Sequence, residues 1–156
     1  MPPRKRASGT NEPNLPYDSG VQPADLDLFL ASLKRCRDQP DFLARFYERF
    51  VGSSDEVREK FRNTDMTHQV RMLEDSLFVV AVAAQGQEGS VARGDLPRIA
   101  ARHSRQDLGI RPELYELWTE CLIQTARERD PGFCLEIERS WRNVLAFGVQ
   151  YMRDRY

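Results

Sequence analysis

Between Pro23 and the end of the chain, apolar residues recur three and four apart almost without interruption, a spacing that lines one face of an α-helix and leaves little room for strands. Proline repeatedly appears at the starts of these segments, where its missing N–H is not needed. A first helix beginning near Pro23 carries Leu26, Phe29, Leu30, Leu33 and Cys36, and a second beginning near Pro40 carries Leu43, Phe46, Tyr47 and Phe50. Ser53 and Glu56 have capping-box spacing for a short helix that reaches Phe61. The polar Asn63-Thr64-Asp65 segment caps a long helix from Met66 to about Gln85, with Met66, Val70, Leu73, Leu77, Val80 and Ala84 inward. A Gly-rich loop over Gly86 to Gly94 ends it, and a short helix follows with Leu96, Ile99, Ala100 and His103 on one side. Pro112 opens a helix with Leu114, Leu117, Trp118, Cys121 and Leu122 inward. Asp130-Pro131 opens the last, with Ile137, Trp141, Val144, Leu145, Gly148 and Met152 inward. About seven helices, no internal repeat and irregular connections predict an all-α domain, and not a four-helix bundle of equal rods.

The 156 residues, 40% of them apolar, suffice for one domain with a real core. Residues 1 to 20 hold Pro2, Pro3, Ser8, Gly9, Asn11, Pro13, Pro16, Ser19 and Gly20 and almost nothing apolar, so they read as a flexible tail before a domain over 21–156. A formal charge of −1 gives no long-range field for nucleic acid, and the one basic cluster, Arg4-Lys5-Arg6, lies in that tail. Cys36, Cys121 and Cys134 lack metal-type spacing and read as reduced core thiols. With no secretory leader and no apolar run of the roughly 18 residues needed to cross a bilayer, a soluble cytoplasmic protein is expected.

The chain has two histidines, His68 and His103. His103, on an apolar helix face before a loop that leads to Ile110-Arg111-Pro112-Glu113, is placed to hold a metal, although a core histidine bonded to a carbonyl would look the same. With so few imidazoles, an iron held here would take most of its ligands from a prosthetic group. Trp118 and Trp141 read as packing, not as electron relays. Glu136 and Glu138, two apart on a helix, face different directions and form no acid–base pair.

The string Arg102-His103-Ser104, followed by Gly109-Ile110-Arg111-Pro112-Glu113-Leu114-Tyr115, resembles the segment of bacterial haemoglobins and flavohaemoglobin globin domains that carries the proximal histidine. Three further matches occur in order: Phe46-Tyr47-Glu48-Arg49-Phe50 resembles the helix with the distal tyrosine, Phe61 falls where an aromatic ring meets the haem, and Gln69 with Leu73 matches the distal glutamine and leucine. The resemblance spans about residues 24 to 155 and implies a globin of the three-over-three type, a helical sandwich around a haem pocket.

It also implies non-covalent haem b, with His103 on the iron, Tyr47 and Gln69 donating to a dioxygen ligand, and Phe61, Leu73, Ile110 and Tyr115 completing the pocket. A hydrogen bond to a polarised ligand is worth about 1–3 kcal/mol in such a site. Between neighbours His68 and Gln69, Gln69 shares the face of Leu73, so His68 is expected outward, or at the haem edge, instead of on the iron. In flavohaemoglobins the proximal histidine is bonded through a tyrosine and a glutamate. Tyr115 fits the tyrosine, but Val144 to Tyr156 offers no glutamate, so a peroxidase-like iron is not expected. Three uses stand: reversible binding of dioxygen, carbon monoxide or nitric oxide; nitric oxide dioxygenation with an external reductase; and gas sensing. A globin-like domain without haem is a fourth reading, against which His103 in its matched segment argues.

Overall fold

The computed structural model describes residues 20–86 and 91–156, with side chains in the second stretch from residue 95 onward. Seven helices form among these residues: α1 (Pro23–Arg37), α2 (Phe42–Ser53), α3 (Asp55–Lys60), α4 (Met66–Ala84), α5 (Val91–His103), α6 (Leu114–Arg129) and α7 (Leu135–Arg153). The tail reading falls on residues 1–19 and lies outside the described residues, as does the middle of the Gly-rich loop.

Several boundaries move for local reasons. Ser54, not Ser53, caps α3, its hydroxyl accepting from the Val57 N–H at 3.1 Å, while the Ser53 hydroxyl turns back to the Phe50 carbonyl. Asp65 caps α4 as expected, accepting from the N–H groups of Thr67 and His68. Helix α5 begins at Val91 and carries Pro97 inside it, so the Gly-rich stretch ends sooner than its composition implies. Pro40, Pro112 and Pro131 each stand in a turn before the helix they were expected to open. At Asp130 the cause is visible, since its carboxylate accepts from the Gly132 N–H at 2.8 Å and its carbonyl from the Phe133 N–H at 3.1 Å. That turn delays α7 until Leu135.

Helices α1, α4 and α5 form one layer and α2, α6 and α7 the other, with α4 beside α5 and α2 beside α6 within the layers and α1 and α4 on α7 across them. This is the three-over-three sandwich. Its core joins fully buried Phe29, Phe42, Phe46, Leu77, Leu122, Ile123, Val144 and Leu145 around Trp141. The Trp141 ring meets Phe29 edge-on, centroids 4.7 Å apart. Helices α4 and α7 approach closely at Gly148, where a Cβ would stand 3.0 Å from Val80. Of the positions expected inward, Leu30, Met66, Val70, Leu117, Trp118 and Met152 are only partly buried, and Cys134 is exposed at the N-cap of α7, unlike buried Cys36 and Cys121.

A buried polar network crosses this core. The Trp141 Nε1–H donates to Ser32 Oγ at 2.9 Å, and Ser32 donates to Asp130 Oδ2 at 2.5 Å. Arg35 grips the same carboxylate through Nε at 2.5 Å and Nη2 at 2.9 Å. Both oxygens of Asp130 are thereby satisfied, which a carboxylate with no exposed side-chain surface requires. No described helix is long and apolar enough to cross a membrane.

Candidate haem site

The packing of α2 on α4 brings Tyr47 and Gln69 together. Gln69 Nε2 donates to the Tyr47 hydroxyl at 3.2 Å, while that hydroxyl reaches the Gln69 carbonyl only at 3.5 Å, too long to occupy its proton firmly. Burial pushes the Tyr47 pKa up to about 12, against the pull of the Gln69 amide. It therefore stays a phenol, able to donate, throughout the physiological range. The Phe61 ring lies 5.7 Å from that of Tyr47 and 5.9 Å from Phe50, and Leu73 is buried one turn beyond Gln69. His68 is exposed on the outer side of α4, as a rotation of about 100° per residue requires.

Helix α5 packs against α4 and ends at His103. Nδ1 of His103 lies 2.8 Å from the Ile99 carbonyl, one turn back. A carbonyl only accepts, so Nδ1 carries the proton, and the neutral ring keeps its lone pair on Nε2. Among the described residues nothing bonds to Nε2. Burial holds the imidazole pKa below its ordinary value, the Ile99 bond opposing it, so the neutral form prevails. Ile110 returns an N–H to the His103 carbonyl at 3.1 Å, after a turn in which Gly109 takes a φ of 59°.

Tyr115 is buried on α6, but among the described residues its hydroxyl makes no hydrogen bond to His103. Burial, with Tyr156 nearby, pushes its pKa up to about 12. The tyrosine link read from the resemblance is thus replaced by a backbone carbonyl. Sequence reasoning also missed a link between the loop after His103 and α3. Arg111 takes both oxygens of Glu56, the residue read as a capping partner, and holds its carboxyl below the usual range. Fifty-five residues separate the two, and no local pattern marks the pair.

The fold matches that of a crystal structure from Pseudomonas aeruginosa PAO1, protein PA3967, described as structurally highly homologous to a human hemoglobin. The TM-score is 0.79 and the identity 34%, over 85% of this chain and 98% of that one. The chain belongs to the globin family. No family model matches it, and no curated protein does.

A haemoglobin-like fold implies a haem group, and the residues of this globin fit one. A haem needs a nitrogen donor for its iron, a need that the free Nε2 lone pair of His103 fits, and apolar walls for the faces of its porphyrin. Phe61, Val70, Ile110 and Leu117 pack against the core yet stay only partly covered by protein, so they retain apolar surface for a flat ring. Val70 adjoins Gln69 in the chain, and the Ile110 N–H bonds to the His103 carbonyl. An open groove on α3, lined by Asp55, Arg58, Glu59 and Arg62, is charged throughout and suits no such ring.

Proposed function

We propose that this globin binds haem b non-covalently through His103 and uses it for reversible binding of dioxygen and related diatomic gases. The observation that carries the reading is the His103 ring, locked by the Ile99 carbonyl into the tautomer whose Nε2 lone pair is free. When bound, haem would supply an iron, with His103 as its protein base, that can bind a diatomic gas. The protein's part is to hold that base, keep water out and place donors. Tyr47, protonated and backed by the Gln69 amide, is the donor, and polarising its hydroxyl from Nε2 strengthens it. One N–H of the Gln69 amide is engaged with Tyr47, and the second remains as a further donor. Phe61, Leu73 and Ile110 shape the slot, and Tyr115 supports it from α6.

The carbonyl partner of His103 favours ligand binding over strongly electron-donating chemistry. A neutral acceptor raises imidazole basicity less than a carboxylate does. Nitric oxide dioxygenation with an external reductase predicts sustained nitric oxide consumption in the presence of that reductase, whereas storage predicts one stoichiometric reaction.

Spectra of the purified ferric, ferrous and carbonyl forms test the reading. A Soret band with a five-coordinate ferrous form is expected, and a colourless protein that takes up no added haemin overturns it. Tyr47→Phe removes the donor while keeping the ring, so oxygen release should quicken by roughly tenfold, equivalent to about 1.4 kcal/mol. Carbon monoxide release, from a less polar ligand, should change less. Stopped-flow displacement measures both, and an unchanged oxygen off-rate removes Tyr47 from its role.

A further inference from the structure

Two exposed contacts join α3 to the loop that follows His103. Arg111 donates to Glu56 in a two-point grip, Nε to Oε1 at 2.9 Å and Nη2 to Oε2 at 2.5 Å. Four residues on from Glu56, and so on the same helix face, Lys60 donates to two consecutive carbonyls, Leu108 at 3.3 Å and Gly109 at 3.2 Å. What lies behind each end gives the contacts their meaning. Lys60 immediately precedes Phe61, the ring beside Tyr47. Between the two gripped stretches stands Ile110, whose N–H holds the His103 carbonyl. The distal aromatic and the end of the proximal helix are thus coupled through three side chains that the hydrophobic core does not need.

We propose that Glu56, Lys60 and Arg111 form a clasp that positions the loop after His103 against α3 and slows release of the haem. The inference rests on the haem reading above. Exposed ion pairs add little to global stability, but a slot that empties by local opening is governed by the few contacts that must break for that opening. A planar guanidinium on a carboxylate is directional as well as attractive, so it fixes the loop's position. Because Arg111 is occupied by Glu56, it serves as a strut and not as a partner for the haem carboxylates.

The test measures ferric haem transfer from the full chain to an excess of an apoglobin acceptor. Wild type is compared with Glu56→Gln, Lys60→Gln, Arg111→Gln and the double variant Glu56→Gln/Arg111→Gln at low and high salt. Each single change should speed haem loss by about three- to fivefold, the range open to an exposed pair. The double variant should be no faster than Arg111→Gln alone, and the differences should shrink at about 1 M salt. Slower loss from Glu56→Gln, as expected if a released Arg111 binds the haem carboxylates instead, overturns the clasp, and so does an unchanged rate. Hydrogen exchange of the Ile110 amide in the protein as purified separates this inference from the haem reading. Faster exchange in Glu56→Gln supports the clasp even if no haem is taken up, and equal exchange overturns it.

Discussion

Replacing His103 with alanine is expected to leave a folded protein that no longer retains haem. In metal sites, losing a group that merely supports a ligand weakens binding by about 10- to 100-fold, and losing the ligand itself should exceed about 100-fold. The fold should survive, because among the described residues the ring's one hydrogen bond is to Ile99 within its own helix, and alanine suits a helix at least as well. Far-ultraviolet circular dichroism should therefore hardly change, while the Soret absorbance relative to 280 nm falls to background after gel filtration with haemin. Added imidazole should restore part of it by occupying the space the side chain left. An undiminished Soret band would show that the iron is held elsewhere, and would remove the reason for the tautomer set by Ile99.

The second large effect is on stability. Asp130→Ala removes the acceptor shared by Ser32, Arg35 and the Gly132 N–H, leaving the Ser32 hydroxyl proton without an acceptor in the core while its oxygen still accepts from the Trp141 indole. Breaking a fully buried ion pair from one side costs about 3–5 kcal/mol, but Arg35 is partly exposed and can turn to water, so about 2–4 kcal/mol is expected. For a chain of this size that lowers Tm by roughly 5–12 °C. The pH dependence has a definite sign. Burial raises the Asp130 pKa, but hydrogen bonds from Arg35, Ser32 and Gly132 outweigh it and leave the carboxyl below its ordinary value. Its contribution is present above the unfolded-state carboxyl range and is lost as pH falls through the lowered folded value. Urea unfolding at pH 7 and at a pH below the lowered folded value should show wild type and Asp130→Ala far apart at the first and closer at the second. An equal gap at both would mean that the charge is not what stabilises the turn.

The helices were legible because each has an apolar face dictated by local spacing, and periodicity survives whatever the helix packs against. The starts were less so. Proline at 40, 112 and 131 tolerates the first turn of a helix and the turn before it equally well, and only the contacts of Asp130 choose between them at the last. Pro97 inside α5 went unread for a related reason, since a proline late in a short apolar pattern looks like a beginning. Cys134 read as a core thiol because composition cannot tell an exposed N-cap from a buried face.

At the site, the resemblance supplied His103, Tyr47, Gln69, Phe61, Leu73, Ile110 and Tyr115, and helical rotation separated Gln69 from His68. The structure gathers Tyr47, Gln69 and Phe61, but gives His103 a backbone partner in place of Tyr115. A carbonyl belongs to every residue alike and leaves no mark in side-chain identity, so no pattern could have announced Ile99.

By itself the sequence determined the class of fold, the two imidazoles from which an axial base could be drawn, and the inward face of each helix, because these depend on contacts within a few residues. Only the tertiary structure decided which tautomer His103 holds, that Gln69 bonds to Tyr47, that Glu56 meets Arg111, and that Asp130 joins Ser32 and Arg35. Those pairings lie 22 to 98 residues apart, save for the carbonyl one turn back. Partners that far apart are chosen by how the helices cross, a property of the whole packed chain and not of any segment of it.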